Sequence, residues 1–175
     1  LQYRVRRADG TYAHVAGRGF VLRDATGQAI RLVAGIQDIT DRRLAEDKIR
    51  HLANFDALTG LPNRRQLIWR TERALEHARR LDHQVALLLI DLDRFKVIND
   101  TLGHQFGDLV LRAAARRLRD AVRDTDVVGR WGGDEFVILL PGVQDASAVR
   151  SSAERIGGLL GGTPIADDVT VTAAI

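Results

Sequence analysis

Short apolar runs alternate with glycine-containing turns over the first 40 residues, which is the pattern of antiparallel strands. We predict strands at residues 3–7, 12–22 and 30–39, joined by turns at Asp9-Gly10 and at residues 25–27. Asp-Gly is a strong signal for a tight hairpin turn. Because three strands without a helix cannot close a hydrophobic core, we expect this segment to be one part of a larger domain.

Helical patterns occupy much of the remaining chain. Residues 41–51 form a charged run whose start Thr40 or Asp41 can cap. After a loop at residues 56–63, Asn63 can cap a helix that reaches about residue 81. Three more helices are expected, a short one after residue 94 and longer ones at about 107–122 and 145–160. The side chains expected to face inward on the two central long helices are Leu67, Ile68, Ala74, Leu75, Ala78, Leu109, Leu111, Ala114, Leu118 and Val122.

Strand patterns lie between these helices. The wholly apolar run at residues 85–90 predicts a strand buried on both faces. Residues 126–131 and 136–140 predict a hairpin, and residues 169–175 predict a last strand. Helices that alternate with strands around one sheet indicate an α+β, or layered α/β, domain.

Composition restricts the class of protein. The 175 residues are 45% hydrophobic and 28% charged, which is typical of a globular protein. There is no cysteine, so neither a disulfide framework nor a thiolate metal site is expected. The chain also has no methionine, from which we expect it to be an excerpt of a longer protein. No apolar run approaches the roughly 18 residues of a transmembrane helix.

The charge of the chain is mildly basic. The net charge is +3 and the calculated isoelectric point is near 9.9. A basic balance can indicate nucleic-acid binding. Here the arginines alternate with acids on predicted helices and lack a regular set of aromatic residues, so we interpret them as a solvated surface and expect no nucleic-acid partner.

Two acidic stretches carry the candidate chemistry. Asp134 and Glu135 directly follow Gly132-Gly133. Because both glycines can adopt positive φ, we expect them to form the turn of the hairpin, with the two acids at its tip. Asp91-Leu92-Asp93 ends the apolar strand. If this strand pairs with the hairpin, the acids form an all-oxygen cluster suited to Mg²⁺ or Mn²⁺. The structural alternatives are a plain surface turn and a pair of acids that cap the next helix.

Polar residues follow the first acidic stretch at once. Lys96 is a compact cation suited to a phosphate. Asn99 and Asp108 offer the donor and acceptor groups that could bind a purine edge. Each also has a structural explanation, as a solvated helix residue, a helix-ending residue and a first-turn acid. Beside two acidic clusters, the three together indicate a nucleoside triphosphate site.

Three motifs then identify a family. DALTGLPNRR at residues 56–65, DLDRFKVINDTLGHQFGD at 91–108 and RWGGDEF at 130–136 resemble the GGDEF family of bacterial diguanylate cyclases in their order and spacing. The resemblance covers residues 54–175. It implies a fold similar to the palm of polymerases and nucleotidyl cyclases. It also implies a reaction that joins two GTP molecules into the second messenger cyclic di-GMP, with one GTP in each subunit of a homodimer.

The resemblance also implies roles for individual residues. Metal ligands would be Asp91, the backbone of Leu92, Asp134 and Glu135, and either Asp134 or Glu135 would act as the catalytic base. Phosphate and guanine groups would be held by Arg94, Phe95, Lys96, Asn99, His104, Asp108, Gly132 and Gly133. Arg123 and Asp126 have the spacing of the family's inhibitory site for cyclic di-GMP, which we favour because arginine suits bidentate recognition of a phosphate or a purine edge. The alternative is a helix ion pair at i,i+3.

The first part of the chain has a resemblance of its own. YRVRRADGTYAHV and GIQDITDRR, at residues 3–15 and 35–43, resemble the C-terminal half of a PAS sensor domain. We therefore expect a PAS remnant at residues 1–40, a linker helix at 41–53 and a GGDEF domain at 54–175 that is incomplete at its C-terminus. The linker helix could pair in a dimer through Leu44, Ile49 and Leu52, or pack on its own domain as a monomer.

The leading hypothesis is a PAS-regulated, product-inhibited diguanylate cyclase in the bacterial cytoplasm. Its parent protein could carry a membrane anchor that this fragment does not include. We expect the fragment itself to be weakly active or inactive, because the family's closing basic helix is not present. The alternative is a non-catalytic GGDEF module that binds GTP or cyclic di-GMP and regulates a neighbouring domain.

Overall fold

The computed structural model describes residues 1–162, 164 and 169–175. The chain divides into two compact units, Leu1–His51 and Leu52–Ile175. Each unit is described by itself below. Among the described residues, no helix has both the length and the apolar character needed to cross a membrane.

The first unit is a three-stranded antiparallel sheet. Its strands are β1 (Gln2–Arg6), β2 (Tyr12–Arg23) and β3 (Ala29–Asp38), in the spatial order β1-β2-β3. Both predicted hairpin turns are confirmed, and Gly10 and Gly27 supply the positive φ angles, 87° and 86°. Within residues 1–51, all of which the structure describes, only Ala13 and Val15 are buried hydrophobic side chains. The sheet therefore builds no core of its own, as its length and composition predict.

The helix α1 (Thr40–Asn54) begins directly after this sheet. The Asp38 carboxylate accepts a hydrogen bond from the Thr40 backbone N–H at 2.8 Å, which organises the first turn of the helix. The helix is confirmed, and it extends one residue beyond each end of the predicted linker helix at 41–53. None of its residues is buried, so its apolar stripe, Leu44, Ile49 and Leu52, is exposed.

Over its described residues, the second unit combines four helices with a four-stranded sheet. Its elements, in chain order, are α2 (Arg64–Leu81), β4 (Gln84–Leu92), α3 (Phe95–Leu102), α4 (His104–Asp120), β5 (Val127–Gly132), β6 (Glu135–Val143), α5 (Ala146–Gly161) and β7 (Ala173–Ala174). The spatial strand order is β5-β6-β4-β7 and every neighbouring pair is antiparallel. The predicted mixed α+β class is confirmed.

Local sequence signals define the helix starts. The Asn63 side chain accepts from the Gln66 N–H at 3.1 Å, and the Asp145 side chain accepts from the Ala148 N–H at 2.9 Å. Each side chain satisfies one of the backbone donors that a helix start leaves without a partner. The start of α2 is therefore where the predicted cap Asn63 places it, and α5 begins one residue after the predicted position, with Asp145 as its cap.

The hydrophobic core lies on one face of the sheet, beneath α4 and α5. Its fully buried members include Ile90, Val110, Phe136, Ile138 and Ile156. On the opposite face α2 packs over β5, where Leu67 is 1% exposed. The three helices cover both faces of the sheet, in which β4 and β6 lie side by side at the centre.

Several predicted details are wrong. The strand β4 is buried on one face only, because Leu87 and Leu89 are 54% and 56% exposed. The helix α4 begins at His104, three residues before the predicted start, and ends at Asp120, before Val122. Three predicted inward side chains, Ile68, Leu75 and Leu109, are exposed. Within the described residues the last strand is only Ala173–Ala174, although residues 165–168 lie outside the description.

Candidate functional site

The β5–β6 hairpin carries the second acidic stretch. The strands pair at Val128 with Ile138, Arg130 with Phe136 and Gly132 with Glu135, with a bulge between Arg130 and Gly132. The hairpin is confirmed, but its turn is shifted by one residue. Gly132 ends β5, and the turn residues are Gly133, with φ of 51°, and Asp134. Asp134 therefore lies in the turn itself and Glu135 is the first residue of β6.

The strand β4 brings the first acidic stretch to this turn. Asp91 is the register partner of Glu135, and the Leu92 N–H donates to the Asp134 carbonyl at 3.4 Å. Asp134 and Glu135 are half-buried, Asp91 is exposed and Leu92 is buried. Carboxyl groups from two stretches more than 40 residues apart therefore lie at one end of the sheet, as predicted.

Asp93 does not join them. Its N–H donates to the Thr172 carbonyl at 2.9 Å, and its carboxylate accepts from the Thr172 hydroxyl at 2.6 Å. The expectation that Asp93 approaches the hairpin acids is therefore wrong, because the chain after β4 turns towards the last strand. Over the described residues, no group of three or more histidine and acidic side chains gathers closely enough to hold a metal ion.

The start of α3 lies directly beyond β4. Arg94 has φ of 56° and ψ of 23°, a left-handed conformation that is uncommon for a residue other than glycine. The helix begins at Phe95, which is buried, and Lys96 is exposed. Within the described chain, the residue before α3 gives its first turn no side-chain hydrogen bond. The backbone N–H groups of that turn are therefore suited to an anion.

Asn99 on α3 packs closely against Gly107 on α4, the residue before Asp108. Gly103 joins the two helices with φ of 85°. Gly107 is buried, and a Cβ atom added there would overlap the Asn99 side-chain oxygen and lie 3.0 Å from Asn99 Cγ. The absence of a side chain at Gly107 therefore allows the Asn99 side chain to pack directly against the backbone of α4. Asp108 is half-buried and lies 3.9 Å from the Arg112 guanidinium, and His104, the first residue of α4, is exposed.

Arg123 and Asp126 form a turn between α4 and β5. The Asp126 carboxylate accepts from the Arg123 N–H at 3.0 Å, and the Asp126 N–H donates to the Arg123 carbonyl at 3.0 Å. The alternative of a helix ion pair is wrong, because α4 already ends at Asp120. Both residues line a cavity together with the end of β6 and the start of α5.

One functional feature has no counterpart in the sequence interpretation. The Arg130 guanidinium donates to both oxygens of Asp56 at 3.1 and 3.2 Å and, through Nε and Nη2, to the Gly133 carbonyl at 3.0 and 2.7 Å. Both residues lie in the quoted motifs, DALTGLPNRR and RWGGDEF, which is the only signal that the sequence offers for them.

The Asp56 carboxylate is electrostatically stabilised. Burial by itself opposes ionisation, but hydrogen bonds from the Thr59 hydroxyl and N–H and from Arg130 outweigh it, so the pKa of Asp56 lies below its usual value of 3.8. The side chains of Asp56 and Arg130 are only 23% and 14% exposed. Asp56 is therefore ionised at neutral pH, and both side chains are largely shielded from water.

These features define the class of the second unit, a mixed α+β domain with an acidic hairpin turn beside an acid-ended strand. A family model described as "Diguanylate cyclase, GGDEF domain" matches residues 53–166. The chain belongs to the GGDEF domain family.

Relatives of known name agree with this assignment. Diguanylate cyclase DgcM of Escherichia coli K12 is 43% identical over 141 residues, which cover 81% of this chain and 34% of the relative. Diguanylate cyclase TpbB of Pseudomonas aeruginosa is 44% identical over 126 residues, or 71% of this chain and 29% of the relative. The chain therefore spans about a third or less of the curated relatives it matches.

Solved structures give the same result. The GGDEF domain of TpbB from Pseudomonas aeruginosa has a TM-score of 0.63 and 43% identity, covering 69% of this chain and 70% of that one. The coiled coil and GGDEF domain of DgcB from Caulobacter crescentus, solved in complex with c-di-GMP, has a TM-score of 0.68 and 27% identity. That match covers 78% of this chain and 74% of the DgcB chain.

Proposed function

We propose that this chain carries the catalytic domain of a diguanylate cyclase, which condenses two GTP into cyclic di-GMP and two pyrophosphates. The observation that carries the proposal is the pairing of Asp91 with Glu135, which places two acidic motifs at one end of the sheet. Membership of the GGDEF family and the names of the relatives support it.

The donor set fits Mg²⁺ or Mn²⁺. Asp91, Asp134 and Glu135 supply carboxylate oxygens and Leu92 a backbone carbonyl. Mg²⁺ is commonly bound by one or two carboxylates, with substrate phosphates completing its shell. Over the described residues no three acidic or histidine side chains gather into one metal site, so we propose that one or two of these carboxylates bind the ion and that GTP phosphates complete its shell. When bound, the ion stabilises the attacking and leaving oxygens of an in-line displacement.

GTP is proposed to lie across the end of the sheet and the α3–α4 pair. The backbone of Arg94 and Phe95 and the Lys96 ammonium hold its phosphates at the start of α3. His104 and the backbone of Gly132 and Gly133 are proposed to contact the same nucleotide. Asn99 and Asp108 bind guanine, and the Asp108 carboxylate is matched to donors on the guanine edge, which adenine does not present in the same way.

The reaction requires two subunits. The 3′-hydroxyl oxygen of one GTP attacks the α-phosphorus of the other, the bond to pyrophosphate breaks, and Asp134 or Glu135 accepts the hydroxyl proton. Because each domain holds one GTP, a homodimer is proposed to bring the two reacting groups face to face. The exposed apolar stripe of α1 supports this dimer.

Regulation is proposed at two places. The turn formed by Arg123 and Asp126 binds cyclic di-GMP as an inhibitory site, since an arginine fork suits phosphate. Residues 1–40 form the C-terminal half of a PAS sensor domain, and residues 41–53 connect it to the GGDEF domain at residues 54–175. The largely exposed apolar side chains of the three-stranded sheet support a role within a larger sensor domain. Because GTP is the proposed substrate, we propose that the reaction takes place in the bacterial cytoplasm.

The test uses the native-length protein. It is incubated with GTP and Mg²⁺, and cyclic di-GMP is measured by chromatography beside a Glu135→Ala variant and a matched control, Glu76→Ala, on an exposed part of α2. We expect product from the wild type and the control, and at least a hundredfold less from Glu135→Ala.

Two other outcomes are informative. If the wild type and both variants make no product although GTP or cyclic di-GMP still binds, the domain is a binding module that regulates a neighbour. Equal activity in Glu135→Ala would remove the hairpin acid from the mechanism.

A further inference from the structure

We infer that Arg130, held by Asp56, is a positioning residue that fixes the hairpin turn for catalysis. The inference rests on the proposed cyclase function. It concerns neither metal binding nor substrate binding directly, since Arg130 acts through the backbone of the turn.

The guanidinium of Arg130 connects the hairpin turn to the Asp56 carboxylate. Its Nε and Nη2 atoms both donate to the Gly133 carbonyl, at 3.0 and 2.7 Å, while Nη1 donates to Asp56. The Gly133 carbonyl and the Asp134 N–H belong to one planar peptide group. Fixing that carbonyl therefore fixes the direction in which the chain enters Asp134.

The other end of this connection is itself rigid. The Asp56 carboxylate accepts from the Thr59 N–H and hydroxyl at 2.9 and 2.7 Å. The Asp56 N–H donates to the Leu61 carbonyl, and the Arg130 N–H donates to the Pro62 carbonyl, both within 2.9 Å. The loop at residues 56–62 therefore forms a fixed support for the Arg130 side chain.

The turn has little other packing. Among the described residues, Cβ atoms added at Gly132 or Gly133 would meet nothing within 4 Å, so the side of each glycine where a side chain would lie is open space. The hydrogen bond from Leu92 to the Asp134 carbonyl is long, at 3.4 Å. Because catalytic groups must be held within about half an ångström of their productive positions, the two short bonds from Arg130 carry the orientation of the turn.

Lysine cannot replace this arginine. An ammonium group carries the charge, but it lacks the planar fork that reaches Asp56 and the Gly133 carbonyl at once. Arg130→Lys therefore keeps the charge and most of the packing while releasing the turn. Asp56→Asn keeps the shape of its side chain and removes the charge that holds the fork.

The experiment compares native-length wild type, Arg130→Lys, Asp56→Asn, the double variant and a surface control, Arg79→Lys. We expect kcat to fall about 10- to 100-fold in the first three variants, the size of effect that a misplacement of about 1 Å produces. The KM for GTP should change less than about threefold, and the Mg²⁺ concentration for half-maximal activity should rise. The double variant should resemble the single variants, because both break the same connection.

The outcomes separate this inference from the proposed function. Wild-type protein that makes no cyclic di-GMP would overturn both. Active wild type with unchanged kcat in Arg130→Lys would overturn the positioning role alone. A loss of activity that merely follows the unfolded fraction, measured by thermal unfolding at the assay temperature, with an unaltered Mg²⁺ requirement, would show that the pair serves stability only.

Discussion

Gly107→Ala should weaken GTP binding without unfolding the domain. The added Cβ would overlap the Asn99 side-chain oxygen and lie 3.0 Å from Asn99 Cγ and 3.2 Å from the Phe95 ring. Ordinary contacts lie at 3.4–4 Å, so the Phe95 ring must retreat by a few tenths of an ångström, whereas the Asn99 amide must rotate away. In the proposed site this removes the amide from guanine.

The expected magnitudes differ for binding and for folding. Loss of one hydrogen bond to guanine costs about 0.5–1.5 kcal/mol, which corresponds to a roughly 2- to 13-fold weaker GTP affinity. Alanine stabilises a helix interior by about 0.5–1 kcal/mol relative to glycine, which offsets much of the packing strain. The net free energy of unfolding should therefore change by no more than about 1 kcal/mol.

The assay measures the dissociation constant for GTP by titration calorimetry and the stability by urea unfolding. Gly158→Ala is the matched control, because it is also a glycine in a helix and its Cβ would enter open space. We expect the control to bind GTP as the wild type does and to be slightly more stable. Unchanged GTP affinity in Gly107→Ala, with the domain folded, would refute the role of Asn99 in binding guanine.

Two further predictions concern stability. Gly129→Ala would place a Cβ 2.5 Å from two atoms of the buried Leu67 side chain. We therefore expect the free energy of unfolding, measured in urea, to fall by about 1–3 kcal/mol. Adding Leu67→Ala in the same chain should relieve part of the clash. The lowered pKa of Asp56 means that its ionised form stabilises the fold above the usual pKa of 3.8 and that this contribution disappears as the pH falls through the lower folded-state pKa. As the pH falls from 7 to 3, the free energy of unfolding measured in urea should therefore decline less in Asp56→Asn than in the wild type. Parallel curves would contradict this assignment.

Local signals in the sequence predict much of the fold. Asn63 and Asp145 each cap the helix that they precede, and Gly10 and Gly27 form the turns of the first sheet. These features depend on contacts within a few residues. The hairpin and the strand before it follow from apolar patterns of the expected length.

Other features depend on contacts that are distant in the sequence. The turn of the hairpin lies at Gly133-Asp134 because cross-strand pairing fixes the register, whereas the two glycines alone allow either position. A wholly apolar run has no period, so the exposure of Leu87 and Leu89 could not be predicted from β4. Asp93 is directed away from the hairpin by Thr172, which lies 79 residues later in the chain.

The candidate site depends both on contacts between residues near in sequence and on contacts between distant residues. Asn99, Gly107 and Asp108 are close in sequence, and the close approach of Asn99 to Gly107 links α3 to α4. The hairpin acids instead depend on Arg130 and Asp56, 74 residues apart, and on the pairing of β4 with β6. Since contacts of high sequence separation are lost when a domain opens partially, the geometry of the acids is the more sensitive to partial unfolding. In the proposed mechanism, binding of the guanine base and alignment of the catalytic acids should therefore be separable, because they have different structural supports.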